Sequence, residues 1–242
     1  MKESLDKNIK AILFDLDGTL LEINLDMFVS QYLRLLSQSV AHLISPKKFI
    51  AKILKASKAV EENDGCLTNE EVYENTFFPL EGYSREELDP YFDKFYEQDF
   101  PKLRQYARRK PEARKVIQAV LDKGYDIVIA TTPLLPAIAI EQRLEWAGVV
   151  DFPYRLITTI ENSYATKSTS NLLYYEQTLN KIGYPAEACL MVGDEDKDLI
   201  SARLGIHTFL VDNPYTKLEI NIPEPDYRGT LEDLNKLILN TD

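Results

Sequence analysis

Five short apolar runs punctuate the chain, and their lack of alternation constrains the fold more than any other feature. They are residues 9–14, YDIVIAT (125–131), RLITT (155–159), ACLMVGD (188–194) and HTFLV (207–211). Most hold apolar side chains at consecutive positions, as strands covered on both faces do. Helical patterns separate the last four. PAIAIEQRLEWAG starts near a proline and stops at Gly148, STSNLLYYEQTLNKIG opens with candidate capping Ser and Thr residues and stops at Gly183, and DKDLISARLG stops at Gly205. A glycine just past the last turn is an expected helix stop. Strand–helix–strand alternation of this kind predicts an α/β fold, a parallel sheet with helices on both faces.

The region from 22 to 105 reads differently. LDMFVSQYLRLLSQSVAHLI, PKKFIAKILKASKAVEE and SREELDPYFDKFYEQDFPKL carry helical patterns, and no strand stands out. The economical arrangement is an α/β core made of residues 1–21 and 106–242, interrupted after its first strand by an all-helical insertion over 22–105. Aromatics crowd this insertion between Tyr73 and Phe100. At helical spacing they read first as the core of a small helical unit; a hydroxyl-bearing subset facing a ligand is the second reading.

Composition removes several function classes. A formal net charge of −11 over 242 residues argues against a nucleic-acid partner, which requires a basic face, and against an anionic membrane surface. The overall field repels a phosphorylated substrate, so a local cation or a metal must receive it. The most apolar stretch, IVIATTPLLPAIAI, is interrupted by Pro133 and Pro136 and is too short to span a bilayer. The polar start MKESLDKNIK lacks the apolar centre of a signal peptide, so a soluble cytoplasmic protein is expected. Cys66 and Cys189 are the only cysteines and form no disulfide framework or metal-ligand pair. With only His42 and His207, a histidine-centred triad or multi-histidine metal site is disfavoured. No G-x-G-x-x-G, Walker A or G-x-S-x-G motif occurs. Carboxylates must do the chemistry.

They stand where ligands bind in parallel sheets, at the carboxyl ends of strands. In KAILFDLDGTLLE, Asp15 and Asp17 end the first apolar run two residues apart, and Gly18 permits a sharp turn. An i, i+2 pair starts from one side of a strand. The plainer reading is a turn, since Asp and Gly favour turns. In MVGDEDKD, Asp194 ends a second strand and Asp198 follows four residues later. Helix capping and a shared cation both explain that acidic cluster. Acids at two strand ends of one sheet favour a hard cation held by oxygen, which suits Mg²⁺. ATTP places Thr131 and Thr132 at a third strand end, and Lys167 follows the next strand; alone, each is unremarkable.

Together and in this order, these pieces resemble the haloacid dehalogenase (HAD) superfamily of aspartate-nucleophile phosphohydrolases, over nearly the whole chain. DLDGTL resembles its first motif, Thr131 its second, Lys167 its third and GDEDKD its fourth, and the helical insertion resembles its cap. The resemblance implies a Rossmann-like core and a Mg²⁺-dependent phosphatase acting on a small phosphorylated metabolite. It makes Asp15 the nucleophile and Asp17 the general acid and base. It assigns Mg²⁺ to Asp15, Asp194 and the main-chain carbonyl of Asp17, and the phosphoryl group to Thr131, Thr132 and Lys167. Asp198 holds Lys167, and Glu195 supports the metal's waters. Dehalogenases of this fold do not carry the second aspartate, so Asp17 points to phosphoryl chemistry. Ser168 follows Lys167 where the family commonly has proline, and Thr132 stands where Asn or Gly is frequent. A phosphomutase or phosphotransferase on the same scaffold, and a non-catalytic module binding a phosphate ligand, are the alternatives.

Overall fold

The apolar run AILF becomes β1 (Ala11–Phe14), buried at all four positions. It lies in a computed structural model that describes residues 4–213, 216, 218, 219 and 221–241; the first three residues of the polar N-terminal stretch lie outside these. After β1 the chain turns into β2 (Leu21–Ile23), runs through four helices, and returns as β3 (Ala107–Arg109). The helices are α1 (Leu25–Ser39), α2 (Pro46–Glu61), α3 (Asn69–Phe77) and α4 (Arg85–Gln98), followed by a 3₁₀ segment over Phe100–Tyr106. Beyond β3 come α5 (Pro111–Asp122), β4 (Asp126–Ile129), α6 (Ala137–Ala147), β5 (Tyr154–Ile157) and α7 (Leu173–Ile182). The chain finishes with β6 (Cys189–Gly193), α8 (Asp196–Leu199), β7 (His207–Val211), β8 (Tyr227–Gly229) and α9 (Leu231–Leu239).

Six strands form one sheet in the order β5-β4-β1-β6-β7-β8, every neighbouring pair parallel. The α/β architecture read from the sequence is therefore the observed one. Alternate side chains of the strands enter two separate apolar clusters. Ile12, Phe14, Ile129 and Val192 join residues of α5, α6 and α9, while Leu13, Val128 and Met191 meet Tyr175 and Ile182 of α7. Cys189 belongs to the second cluster, the small buried side chain its apolar surroundings suggest. Because both faces are covered, the strands need apolar residues at every position.

The first cluster continues without a break into the helical block through Phe28, Phe49, Phe77, Phe95 and Phe100. Phe100 stacks on Trp146 of α6 with ring centroids 5.5 Å apart, and each such buried ring contributes about 1.5–3 kcal/mol by area. Polar contacts add to this. At the start of α3, the Asn69 amide N–H donates to Ser163 O at 2.7 Å and that of Glu70 to Ile160 O at 3.0 Å. The buried Asn69 side chain donates to Pro133 O at 3.2 Å and Ala165 O at 3.1 Å.

Three features differ from the sequence reading. β2 and β3 pair antiparallel, Glu22 opposite Arg108, so the expected boundary between 21 and 22 falls inside a strand, and the chain enters and leaves the helical block through this ribbon. Three-residue strands are too short to show a period. Residues 168–172 form a loop rather than a helix start, since Ser168 and Ser170 bond each other at 2.7 Å and α7 begins only at Leu173. DKDLISARLG gives just one α-turn before a 3₁₀ segment. Among the described residues, no helix is long and apolar enough to cross a membrane.

Candidate active site

Because β1 is central, its end lies between the ends of β4 and β6. Asp15 N still donates to Val192 O at 2.9 Å, and Ala130 N donates to Phe14 O at 2.7 Å. The residues after the three strands therefore converge. Gly18 adopts φ +85°, and a Cβ there would stand 2.3 Å from Asp194 Oδ2. A Cβ on Gly193 would meet Asp198 Oδ2 at 2.1 Å. Both glycines are required by the close approach of a carboxylate, distant in sequence from Gly18 and about one helical turn on from Gly193.

Lys167 is the centre of charge. Its Nζ donates to Asp15 Oδ1 and to Asp198 Oδ1, each at 2.6 Å, and its side chain is only 2% exposed. Burial alone would lower the lysine's pKa, but Asp15 and Asp198 outweigh it and hold the ammonium well above its usual range. Asp15 is pushed well above the usual carboxylate range, chiefly by burial; Lys167 opposes this and Asp198 and Asp194 add to it. Asp194 is raised to about 6, again by burial first and then by Asp198, with the Thr19 hydroxyl opposing.

These shifts have one origin. Three buried carboxylates, Asp15, Asp194 and Asp198, place ligand oxygens within 4.8 Å of one another, and one ammonium faces them. The surplus negative charge and the all-oxygen donor set fit a divalent hard cation such as Mg²⁺. Asp198 has both oxygens engaged, Oδ1 by Lys167 and Oδ2 by Glu195 N at 3.1 Å. Asp194 likewise has both oxygens engaged, but by neutral groups rather than by the ammonium, so its charge is left without a cationic partner in these bonds. Asp194 is itself fixed by the Thr19 hydroxyl at 2.9 Å and by Asn213 Nδ2 at 2.8 Å.

The remaining sequence candidates surround this cluster. Thr131 is buried, and its carbonyl accepts from the Thr158 hydroxyl at 2.8 Å and the Tyr174 hydroxyl at 3.1 Å. Asp15, Asp17, Thr131, Thr132 and Glu195 all line one cavity between sheet and helical block. Asp17 and Glu195 also border a second depression, which Gly18 and Asp194 line on the other side of the loop after β1.

Several residues escaped the sequence reading. Arg143 of α6 pairs with Asp17 through its Nη1, yet Asp17 Oδ1 and Arg143 Nε are buried without a partner. Its position was legible, for Arg143 lies on the face that also carries the buried Ala139, Ile140, Leu144 and Ala147, and a charge on an apolar stripe calls for a partner. Lys110 reaches from the end of β3 to the carbonyls of Gly18 and Thr19. Tyr174 and Tyr175 secure the site's loops, the latter by donating to Lys197 O at 2.6 Å.

A family model described as haloacid dehalogenase-like hydrolase matches residues 9–205. A phosphoglycolate phosphatase of Vibrio cholerae is 26% identical over 227 residues, 91% of this chain and 92% of its own length. Among solved structures, a HAD phosphatase from Thermococcus onnurineus superposes with TM-score 0.60 at 19% identity, covering 96% of this chain and 98% of that one. The HAD-hydrolase YfnB from Bacillus subtilis, bound to magnesium, gives 0.56 at 22% identity over 96% and 99%. The L-2-haloacid dehalogenase of Xanthobacter autotrophicus gives 0.56 at 14% identity over the same shares.

Proposed function

Given that the chain belongs to the haloacid dehalogenase-like hydrolase family, we propose that it is a Mg²⁺-dependent phosphatase of a small phosphorylated metabolite, with Asp15 as nucleophile. The observation that carries this reading is the chain of contacts Asp15–Lys167–Asp198 at 2.6 Å each, with Asp194 beside it. Asp17 favours phosphoryl over halide chemistry, because the family's dehalogenases do not carry that second aspartate. The relationship to a phosphoglycolate phosphatase supports the same side.

Catalysis here rests on positioning and charge. A carboxylate oxygen of Asp15 attacks phosphorus, the ester P–O bond breaks, and Asp17 gives a proton to the departing alkoxide. Lys167 and the threonines at positions 131 and 132 hold the transferring phosphoryl oxygens. Asp17 then takes a proton from water, the water oxygen attacks the aspartyl-phosphate, and the bond to Asp15 breaks to release inorganic phosphate. Asp15, Asp194 and the Asp17 carbonyl would hold Mg²⁺, which when bound neutralises the carboxylates and lets a phosphate dianion approach. The helical block acts as a cap that keeps bulk water from the intermediate.

The test is phosphate release from acetyl phosphate and p-nitrophenyl phosphate, with Mg²⁺ or with chelator. Turnover should require the metal and fall by roughly 10³-fold or more in Asp15→Asn. Full activity in that variant would remove Asp15 from the chemistry.

A further inference from the structure

The cavity over Asp15 and Asp17 has a volume of about 560 Å³, within the span of roughly 300–1,000 Å³ typical of sites that enclose organic ligands. Its walls on the helical block are mainly apolar. Phe49, Phe77 and Phe92 line it together with Leu25, Val29 and Leu54, and the last three are 40%, 47% and 54% exposed. Large apolar side chains left open to water around a catalytic cavity indicate something apolar that covers them. Tyr32 and Tyr96 also line it, and their hydroxyls lie 3.0 Å apart and bond each other.

The charges in the cavity argue against an anionic leaving group. Of the cavity's lining residues on the helical block, Arg85 is the cation, paired with Glu70, Glu74 and Asp89, and all four line the cavity. Three carboxylates around one guanidinium leave that wall negative. Arg143 is committed to Asp17. Lys197 also lines the cavity, but from the core side, next in sequence to Asp198 and away from the aromatic wall of the helical block. A carboxylate carried by the leaving group would find no unpaired cation among the described residues of the helical block that line the cavity.

Resting on the phosphatase reading above, we infer that the substrate is a phosphomonoester of an uncharged, largely apolar alcohol of at least one ring in size. The departing group occupies the aromatic wall, and the phosphoryl group lies at Asp15 and Lys167. A small acid ester such as 2-phosphoglycolate leaves most of the cavity unfilled and sets its carboxylate against the acidic wall.

Three esters of primary alcohols separate these cases: 2-phenylethyl phosphate, ethyl phosphate and 2-phosphoglycolate, with acetyl phosphate as a generic substrate and Mg²⁺ present throughout. The expected kcat/KM for 2-phenylethyl phosphate exceeds the other two esters by at least about tenfold, the factor expected for a few buried methylenes. Leu54→Asp, a change at an exposed position, should narrow the phenylethyl-to-ethyl ratio about fivefold or more. Equal rates, or a preference for 2-phosphoglycolate, overturn the inference and leave the phosphatase reading intact. Failure to hydrolyse any of the three esters or the acyl phosphate overturns the phosphatase reading. Calorimetric binding to the Asp15→Asn protein then decides the cavity's preference: tighter binding of 2-phenylethyl phosphate than of 2-phosphoglycolate upholds it, and the reverse or equality overturns it.

Discussion

Arg143 donates from its Nη1 to Asp17 Oδ2 and so ties α6 to the loop that follows β1. Their side chains are 4% and 16% exposed, so solvent screens the pair little. One end of Asp17 is fixed while its other oxygen, buried and without a partner, remains for chemistry. A proton donor and acceptor held in this way needs no reorientation between the two halves of the proposed reaction.

Removing the guanidinium should therefore cost both rate and stability. Arg143→Ala leaves Asp17 as a largely buried unpaired carboxylate, a loss of about 3 kcal/mol. We expect kcat to fall about 10- to 100-fold with a smaller change in KM, since phosphoryl binding by Lys167 is untouched. Steady-state phosphate release and urea unfolding measure the two effects. Wild-type kcat in a destabilised variant would reduce Arg143 to a structural role.

What the sequence made legible follows from the range of the interactions. Asp15, Asp194 and Lys167 could be found because each follows an apolar run that is itself a strand, and the parallel sheet gathers strand ends. Arg143 lies on a buried helical face, but in EQRLEWAG it is one charge among three and only the apolar stripe around it sets it apart. Asn69, Asn213 and Lys110 gave no such signal. Each is a lone polar residue in a loop or at an element's end, and the site loop it holds lies 19 or more residues away in sequence. The β2–β3 ribbon was hidden by its length, since a three-residue pairing is set by register and the Glu22–Arg108 contact at 2.7 Å rather than by periodicity.

Asn69 offers a test of how the helical block engages the core. Its amide donates to carbonyls on two loops, Pro133 beside the threonines and Ala165 two residues before Lys167, while Asn63 Nδ2 donates to its oxygen at 2.8 Å. Asn69→Ala orphans two buried carbonyls and should destabilise the protein by about 2 kcal/mol. Asn69→Asp, which replaces the donor by an acceptor, should be worse. If the contact also orders the two loops, KM for acetyl phosphate rises in both variants. Unchanged urea midpoints would show that water replaces the lost donor without cost.

Gly18 couples backbone geometry to the metal site. Alanine there must adopt φ +85° and place its Cβ 2.3 Å from Asp194 Oδ2, so either the turn or the carboxylate has to move. Gly18→Ala should weaken Mg²⁺ binding by about tenfold or more, read by isothermal calorimetry. Retained affinity would indicate that Asp194 relaxes into another position that still binds the ion.

The raised pKa of Asp194 predicts an unusual pH dependence for the metal-free protein. Its carboxyl titrates at about 6 when folded against 3.8 as the reference value, so between those limits the folded state keeps a proton that the unfolded chain has lost. Stability then falls as pH rises from about 4 to about 6, by about 3 kcal/mol in all. Asp15, raised by burial as well, acts in the same direction. Other carboxylates titrate in this range too, so the informative quantity is the difference between Asp194→Asn and wild type in urea unfolding with chelator present. The variant should gain on wild type across that window and hold the gain above it. Saturating Mg²⁺ should erase the gain at pH 7 by binding the wild-type carboxylate, about 2.7 kcal/mol at a hundred times Kd. Parallel pH profiles for the two proteins without metal would mean that Asp194 folds as an ordinary carboxylate, stabilised enough by the Thr19 and Asn213 hydrogen bonds that no cation is needed to balance it.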